Sequence, residues 1–217
     1  MKPFIVVNFK AYPESIRDGF LLANLLSPFS NVIMCVPAPL ICSFARESSL
    51  HGVVRDALVF AEHVDPVSGG AYTGSITVDM IKAAGASGSL VNHSEKRLSF
   101  NDIAKVINLL KSRGLVSILC CESVKEARRF KKLMPDYIAY EPKELIGSDV
   151  SVTTKPGLIR SIVKAVSPVP VLVGAGVKTR EDVMISINLG ASGVLIASGV
   201  VKAVDKERAV RDLVVWD

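Results

Sequence analysis

"YIAYEPKELIGSD", Tyr137 to Asp149, opens as a buried β-strand and puts a carboxylate, Glu141, at the point where the apolar run stops. Pro142 then ends the strand, because its ring leaves no N–H for a ladder hydrogen bond. The next stretch, Lys143 to Ser148, mixes charge with Leu145 and Ile146 before and around Gly147, and reads either as an ordinary loop or as a mobile cover. Whether Glu141 is a surface acid ahead of a turn or a working group depends on what the other strands carry at the same level.

Outward from this stretch the same unit recurs. Short β-branched runs at Phe4 to Asn8, Val32 to Val36, Ala57 to Glu62, Ser89 to Asn92, Val116 to Cys120, Tyr137 to Tyr140, Val169 to Val173 and Val194 to Ile196 are each followed by helix-like sequence. Strands alternating with amphipathic helices predict an α/β fold with a parallel sheet and crossover connections. Eight such units in one uninterrupted chain favour a closed (β/α)8 barrel, a single domain over residues 1–217, above an open doubly wound sheet. Ile103, Val106, Ile107 and Leu110 follow the i, i+3, i+4, i+7 rule of one buried helical stripe. Ser123 to Glu126 and Thr179 to Asp182 have the spacing of capping boxes, in which a hydroxyl and a carboxylate satisfy the free N–H groups of a helix start.

The chain has 217 residues, 49% hydrophobic and 22% charged, which suits a globular protein with a generous interior. Its net charge of +5 favours anionic partners. The cations are scattered, with Arg128, Arg129, Lys131 and Lys132 the one dense cluster, and no aromatic platform accompanies it. A small phosphorylated ligand fits that distribution better than nucleic acid, and the cluster itself reads as a solvated helix face. Cys35, Cys42, Cys120 and Cys121 match neither a zinc site nor a disulfide framework, which points to reduced thiols and a cytoplasmic location. The N-terminal apolar run is too short for a signal peptide, and no stretch has the length of a membrane span.

In a closed parallel barrel all strand C-termini open on one face, so polar residues at those ends converge however far apart they lie in sequence. Those ends carry Asn8 and Lys10, His93, Glu141, Gly174-Ala175-Gly176 and Ala197-Ser198-Gly199. Singly, Lys10 reads as a solvated loop cation, His93 as a core histidine and Glu141 as a surface acid. Together they supply a cation, an imidazole and a base, with small-residue corners after strands seven and eight that let backbone N–H groups approach an anion.

"NFK" at Asn8 to Lys10, "NHSEKR" at Asn92 to Arg97 and "AYEPKELIG" at Ala139 to Gly147 resemble the triosephosphate isomerase family, and the match spans the whole chain. The spacing of "GAG" and "LIASG" is similar to the short archaeal-type form of that family. The resemblance implies a TIM barrel that interconverts dihydroxyacetone phosphate and D-glyceraldehyde 3-phosphate, in glycolysis or gluconeogenesis, with no metal and no organic cofactor. It implies Glu141 as base, His93 as electrophile and Lys10 as the cation that stabilises substrate and enediolate, with Asn8 orienting the polar groups and Glu95 supporting the site electrostatically. Phosphate contacts would come from Ile146, Gly176, Ala197 and Ser198, and Pro142 to Ser148 would form a lid. Asp149 stands where the family pattern leads one to expect a hinge glycine. "GGAYTGSIT", Gly69 to Thr77, resembles the loop that reaches into a neighbouring subunit through Thr73, so a homodimer is expected, with further association to a homotetramer left open.

Two other readings compete. A phosphate-binding epimerase barrel would need a metal cage or two facing acids, which the placement of His51 and His63 does not favour; His63 reads as a packing or interface residue. A noncatalytic phosphate-binding barrel is the second, and the joint presence of Lys10, His93 and Glu141 argues against it.

Overall fold

The computed structural model describes residues 2–50, 57–145 and 150–214. Its strands are β1 (Phe4–Asn8), β2 (Val32–Val36), β3 (Leu58–Ala61), β4 (Gly88–Val91), β5 (Val116–Cys121), β6 (Tyr137–Tyr140), β7 (Val171–Val173) and β8 (Gly193–Ile196). They pair in chain order as a closed parallel barrel, with β8 returning to β1 in the register Phe4↔Gly193 to Val7↔Ile196. Around it run α1 (Pro13–Arg17), α2 (Gly19–Leu26), α3 (Ile41–Leu50), α4 (Val78–Ala83), α5 (Phe100–Ser112), α6 (Val124–Phe130), α7 (Pro156–Val166), α8 (Arg180–Asn188), α9 (Ser198–Val201) and α10 (Lys206–Val214).

The two faces of each strand explain the near-continuous apolar runs. Val6, Ile33, Cys35, Phe60, Leu90, Ile118, Cys120, Ala139, Leu172 and Leu195 form one buried cluster that draws on every strand and fills the barrel. Their neighbours, such as Ile5, Val7, Met34, Leu119, Ile138 and Val194, join a second cluster with the helices. The stripe Ile103, Val106, Ile107 and Leu110 is buried as its spacing predicts.

Strand limits differ from the sequence reading where local chemistry intervenes. β7 starts at Val171 and not Val169, after Pro170, which has no N–H to give to the ladder. β4 stops before Asn92, whose φ of 61° leaves the extended region. Thr179 and Asp182 make the full capping box at α8. At α6 only half of it forms: Ser123 accepts from the Glu126 N–H, while the Glu126 carboxylate turns to the Glu122 N–H and to Arg97. Arg128, Arg129 and Lys132 are exposed, as a solvated face requires, and the Arg129 guanidinium lies 3.8 Å from the centroid of the Phe100 ring.

The seam that closes the barrel is tight. A Cβ at Gly193 would overlap the Phe4 carbonyl oxygen, and the Phe4 ring packs edge-on against Tyr137, with centroids 5.7 Å apart. Gly193→Ala is therefore expected to lower unfolding stability by about 1–3 kcal/mol, the usual range for overpacking. Gly157→Ala, where a Cβ meets nothing within 4 Å, should be neutral or slightly stabilising. Urea titration of both variants checks this; equal stability of Gly193→Ala and parent would mean that the seam has room.

Candidate active site

The side-chain period of two carries the inward face of six strands to the strand's end or one step past it. Val6 leads to Asn8, Phe60 to Glu62, Leu90 to Asn92, Ala139 to Glu141, Leu172 to Gly174 and Leu195 to Ala197. His93 is out of phase with this pattern. The left-handed turn at Asn92 brings it onto the same rim, and the Asn92 amide fixes that turn by donating to the Cys120 carbonyl (3.1 Å) and accepting from the Leu98 N–H (2.9 Å). Lys10 is also left-handed, with φ 51°, and its N–H donates to Asn8 Oδ1 at 3.1 Å. Backbone strain of this kind persists where the surroundings over-determine it, and here it clusters at the rim.

Asn8, Lys10, Glu62, His63, His93 and Glu95 line one cavity of about 320 Å³. Lys10 Nζ donates to Glu95 Oε1 at 2.7 Å. The Glu95 N–H donates to His93 Nδ1 at 3.2 Å, so Nδ1 is the acceptor and the ring proton belongs on Nε2. That Nε2 faces Glu141 Oε2 at 3.4 Å, too long for a good hydrogen bond, and Glu141 Oε2 is buried without a partner. The Glu141 N–H is held by the Cys121 carbonyl at 2.9 Å, which keeps the acid on the sheet. A Cβ at Gly174 would lie 2.7 Å from Glu141 Cγ, so the bare glycine on the next strand is what leaves room for the carboxyl group.

Burial sets the ionisation of these groups. It pushes the Glu141 carboxyl up to about 7, the nearby Lys10 charge offsetting only part of the shift. Burial, and then the Lys10 charge, brings the His93 imidazole down to about 4, so the ring is neutral near pH 7. Burial also draws the Lys10 ammonium downward, but Glu95 outweighs it and the net direction is up. The site therefore holds a base within reach of ionising near neutrality, a neutral N–H donor and a permanent cation.

The remaining expected residues are placed less closely around this group. Gly176, with φ 72°, packs against the Val150–Ser151 backbone, and Gly199 approaches Val177 and Lys178, so the corners after β7 and β8 adjoin. Ala197 and Ser198 open the short α9, Ser198 exposed. Ile146, and with it Gly147 to Asp149, lies outside the described residues, as does His51. Of the expected lid, Lys143–Leu145 forms a 3-10 turn, and Leu145 is packed into the outer core at 5% exposure and is not one of the residues that line the cavity. Thr73 is exposed, next to a half-exposed Tyr72. His63 is buried, with Nε2 3.1 Å from Asp65 Oδ1. Glu95 lies in a turn and not at a helix start, since α5 begins only at Phe100. Glu62 was not singled out by the sequence, although the alternation past Phe60 marks it as inward-facing. Among the described residues no three His, Cys, Asp or Glu side chains group as metal ligands, and no helix is long and apolar enough to cross a membrane.

A closed parallel barrel with an acid, an imidazole and an ammonium on its C-terminal rim defines the class: a (β/α)8 enzyme built for proton transfer. The sequence narrows this further. The triosephosphate isomerase family model matches residues 3–213, and the chain belongs to that family, whose members are isomerases acting on a triose phosphate. It is 41% identical over 213 residues to the triosephosphate isomerase of Thermoplasma volcanium, covering 97% of this chain and 98% of that protein. It is 39% identical over 223 residues to that of Methanothermus fervidus, covering 98% of each. The crystal structure of triosephosphate isomerase from Bartonella henselae superposes with a TM-score of 0.67 at 24% identity over 97% of this chain and 98% of that one, a likeness of fold.

The buried carboxyl has a cost that can be measured. Between its ordinary 4.5 and about 7, folded Glu141 keeps a proton that the unfolded chain releases, so its contribution falls as pH rises through that window and is level above it. Glu141→Gln removes this term. The variant should exceed the parent in unfolding stability by about 3 kcal/mol at pH 8 and by little at pH 4, as read from paired denaturant titrations. Parallel curves at both pH values would show that Glu141 is not held as an unsatisfied acid.

Proposed function

We propose that this chain interconverts dihydroxyacetone phosphate and D-glyceraldehyde 3-phosphate through an enediolate, in the cytoplasm, with Glu141 as base, His93 as electrophile and Lys10 as charge stabiliser. The observation that carries the assignment is the contact of Glu141 Oε2 with His93 Nε2 across 3.4 Å, a buried base with a free lone pair facing a neutral N–H donor. Glu141 removes a proton from the carbon beside the carbonyl, and the electron pair moves onto the carbonyl oxygen. Lys10 and the His93 Nε2–H are suited to receive that developing charge. The proton then passes from Glu141 to the neighbouring carbon, while the hydroxyl and carbonyl oxygens exchange a proton through His93. Asn8 holds the Lys10 turn through the 3.1 Å bond, and Glu95 holds both the Lys10 ammonium and the His93 tautomer. The adjoining corners at Gly176 and at Ala197-Ser198 suit the phosphate, with Ile146 assigned to it on the resemblance. The free Cys35, Cys120 and Cys121 agree with a reducing compartment.

The base must be ionised to act, and burial has raised it to about 7, so kcat/KM should climb as pH rises through neutrality. Glu141→Gln should keep substrate-analogue binding and lose about a thousandfold in kcat. Lys10→Met should lose about a hundredfold or more in kcat/KM, in binding and chemistry together. Coupled turnover of D-glyceraldehyde 3-phosphate measures all three, and parental turnover in either variant would reject that residue's role.

We also propose a homodimer in which the Thr73 loop enters the partner's site. The segment from Gly70 to Thr73 is exposed, and Tyr72 is 51% exposed despite its size. Deleting Gly70 to Ser75 should give mainly monomer in sedimentation, with weakened activity; a fully active dimer would place the interface elsewhere.

A further inference from the structure

Glu62 is the one carboxyl group in the cavity to which the reaction as derived gives no part. It follows β3 on the inward face, one step past Phe60, and lines the cavity with Asn8, Lys10, His93 and Glu95. Its Oε1 is buried and has no hydrogen-bond partner. The carboxyl group lies beside the Lys10 backbone, whose N–H favours its ionised form while donating its hydrogen bond to Asn8 Oδ1. The charged and titratable groups around it are few. Lys10 comes from the loop after β1, Glu95 from the loop after β4, and the Cys35 thiol from β2, where burial keeps it neutral.

We infer that Glu62 is a positioning residue for the isomerisation: against the Lys10 backbone it braces the left-handed turn that aims the Lys10 ammonium. The inference rests on the assignment of Lys10 as the cation at the site. A lysine with φ 51° relaxes toward ordinary backbone once the groups packed against its turn are lost, and its Nζ moves with it. The neutral acid is the form suited to this work. A neutral carboxyl group fills the same space beside Lys10, whereas an ionised Glu62 would add a negative charge to the cavity that already holds Glu95 and so weaken the draw of Lys10 on an anionic substrate. The Lys10 N–H and ammonium favour the carboxylate, but burial outweighs them and pushes the Glu62 carboxyl up to about 7. As pH rises past that value Glu62 ionises and substrate capture weakens, on the limb where ionisation of Glu141 alone would leave it level.

The test compares the parent with Glu62→Gln and Glu62→Ala, with kcat and KM measured from pH 5.5 to 9.5. Glutamine copies the neutral acid, so Glu62→Gln should match the parent below neutrality and overtake it above, reaching about tenfold in kcat/KM, the effect of one unit of differential interaction. Glu62→Ala should lose about tenfold or more across the range, with KM raised, because neither form of the brace remains. A Glu62→Ala enzyme with parental constants overturns the inference, as does a Gln-to-parent ratio that stays flat with pH. If Glu62→Ala does not fold, the isosteric variant decides alone through that ratio, which a merely structural role would not move. Lys10→Met separates the two levels: should it retain parental turnover, the assignment of Lys10 fails; should it lose turnover while the Glu62 variants behave as the parent, only the role of Glu62 fails.

Discussion

A carboxyl group buried with an open lone pair is the constraint on which the site depends. Glu141 at the end of β6 has no hydrogen bond to Oε2, and a protein interior tolerates such a group only when its surroundings are fixed independently. They are fixed here by the sheet. The Glu141 N–H is bonded to β5, the Gly174 N–H is bonded to the Tyr140 carbonyl, and the missing Cβ of Gly174 leaves the space that the acid occupies. The desolvation that makes Glu141 costly to the fold is also what raises it toward neutrality, where a base is most useful.

The same desolvation reaches the other groups with the opposite sign. In His93 it disfavours the cation, so the imidazole that faces Glu141 is a neutral donor and the pair does not collapse into an ion pair. In Lys10 it is overcome by Glu95, whose 59% exposed side chain keeps contact with water while its Oε1 holds the ammonium. Glu95 thereby does two things with two different atoms. Its carboxylate fixes the charge of Lys10, and its backbone N–H fixes the tautomer of His93.

Much of this was legible in the sequence because the barrel turns a local pattern into a global one. Strand runs with period two announce which residue after each strand points inward, and Asn8 and Glu141 were readable in that way. His93 was readable only through its motif, since the left-handed Asn92 breaks the alternation and no periodicity announces it. Glu62 obeyed the alternation and was still passed over, because a single acid before a histidine carries no chemical signature until the cavity around it is known. Leu145 is ambiguous in the sequence, an apolar residue in a charged loop, and the structure packs it in the outer core at the end of a short 3-10 turn. The half-formed capping box at α6 has a similar origin. Glu126 had the spacing to bond Ser123, but Arg97 and the Glu122 N–H compete for the same carboxylate.

The balance of charge at the rim follows from these placements more than from composition. The chain carries a net +5, which draws anions toward it as a whole, but the cavity itself gathers Glu62, Glu95 and the neighbouring Glu141 about Lys10. Three ionised carboxylates around one ammonium oppose an anionic ligand, and burial eases this by holding two of them, Glu62 and Glu141, up to about 7. Glu141 must lose its proton to work, and the Glu95 carboxylate is the partner of the Lys10 ammonium. Glu62, whose Oε1 is buried without a partner, is raised by burial into the same range as Glu141, and the proton it keeps below neutrality limits the negative charge around Lys10.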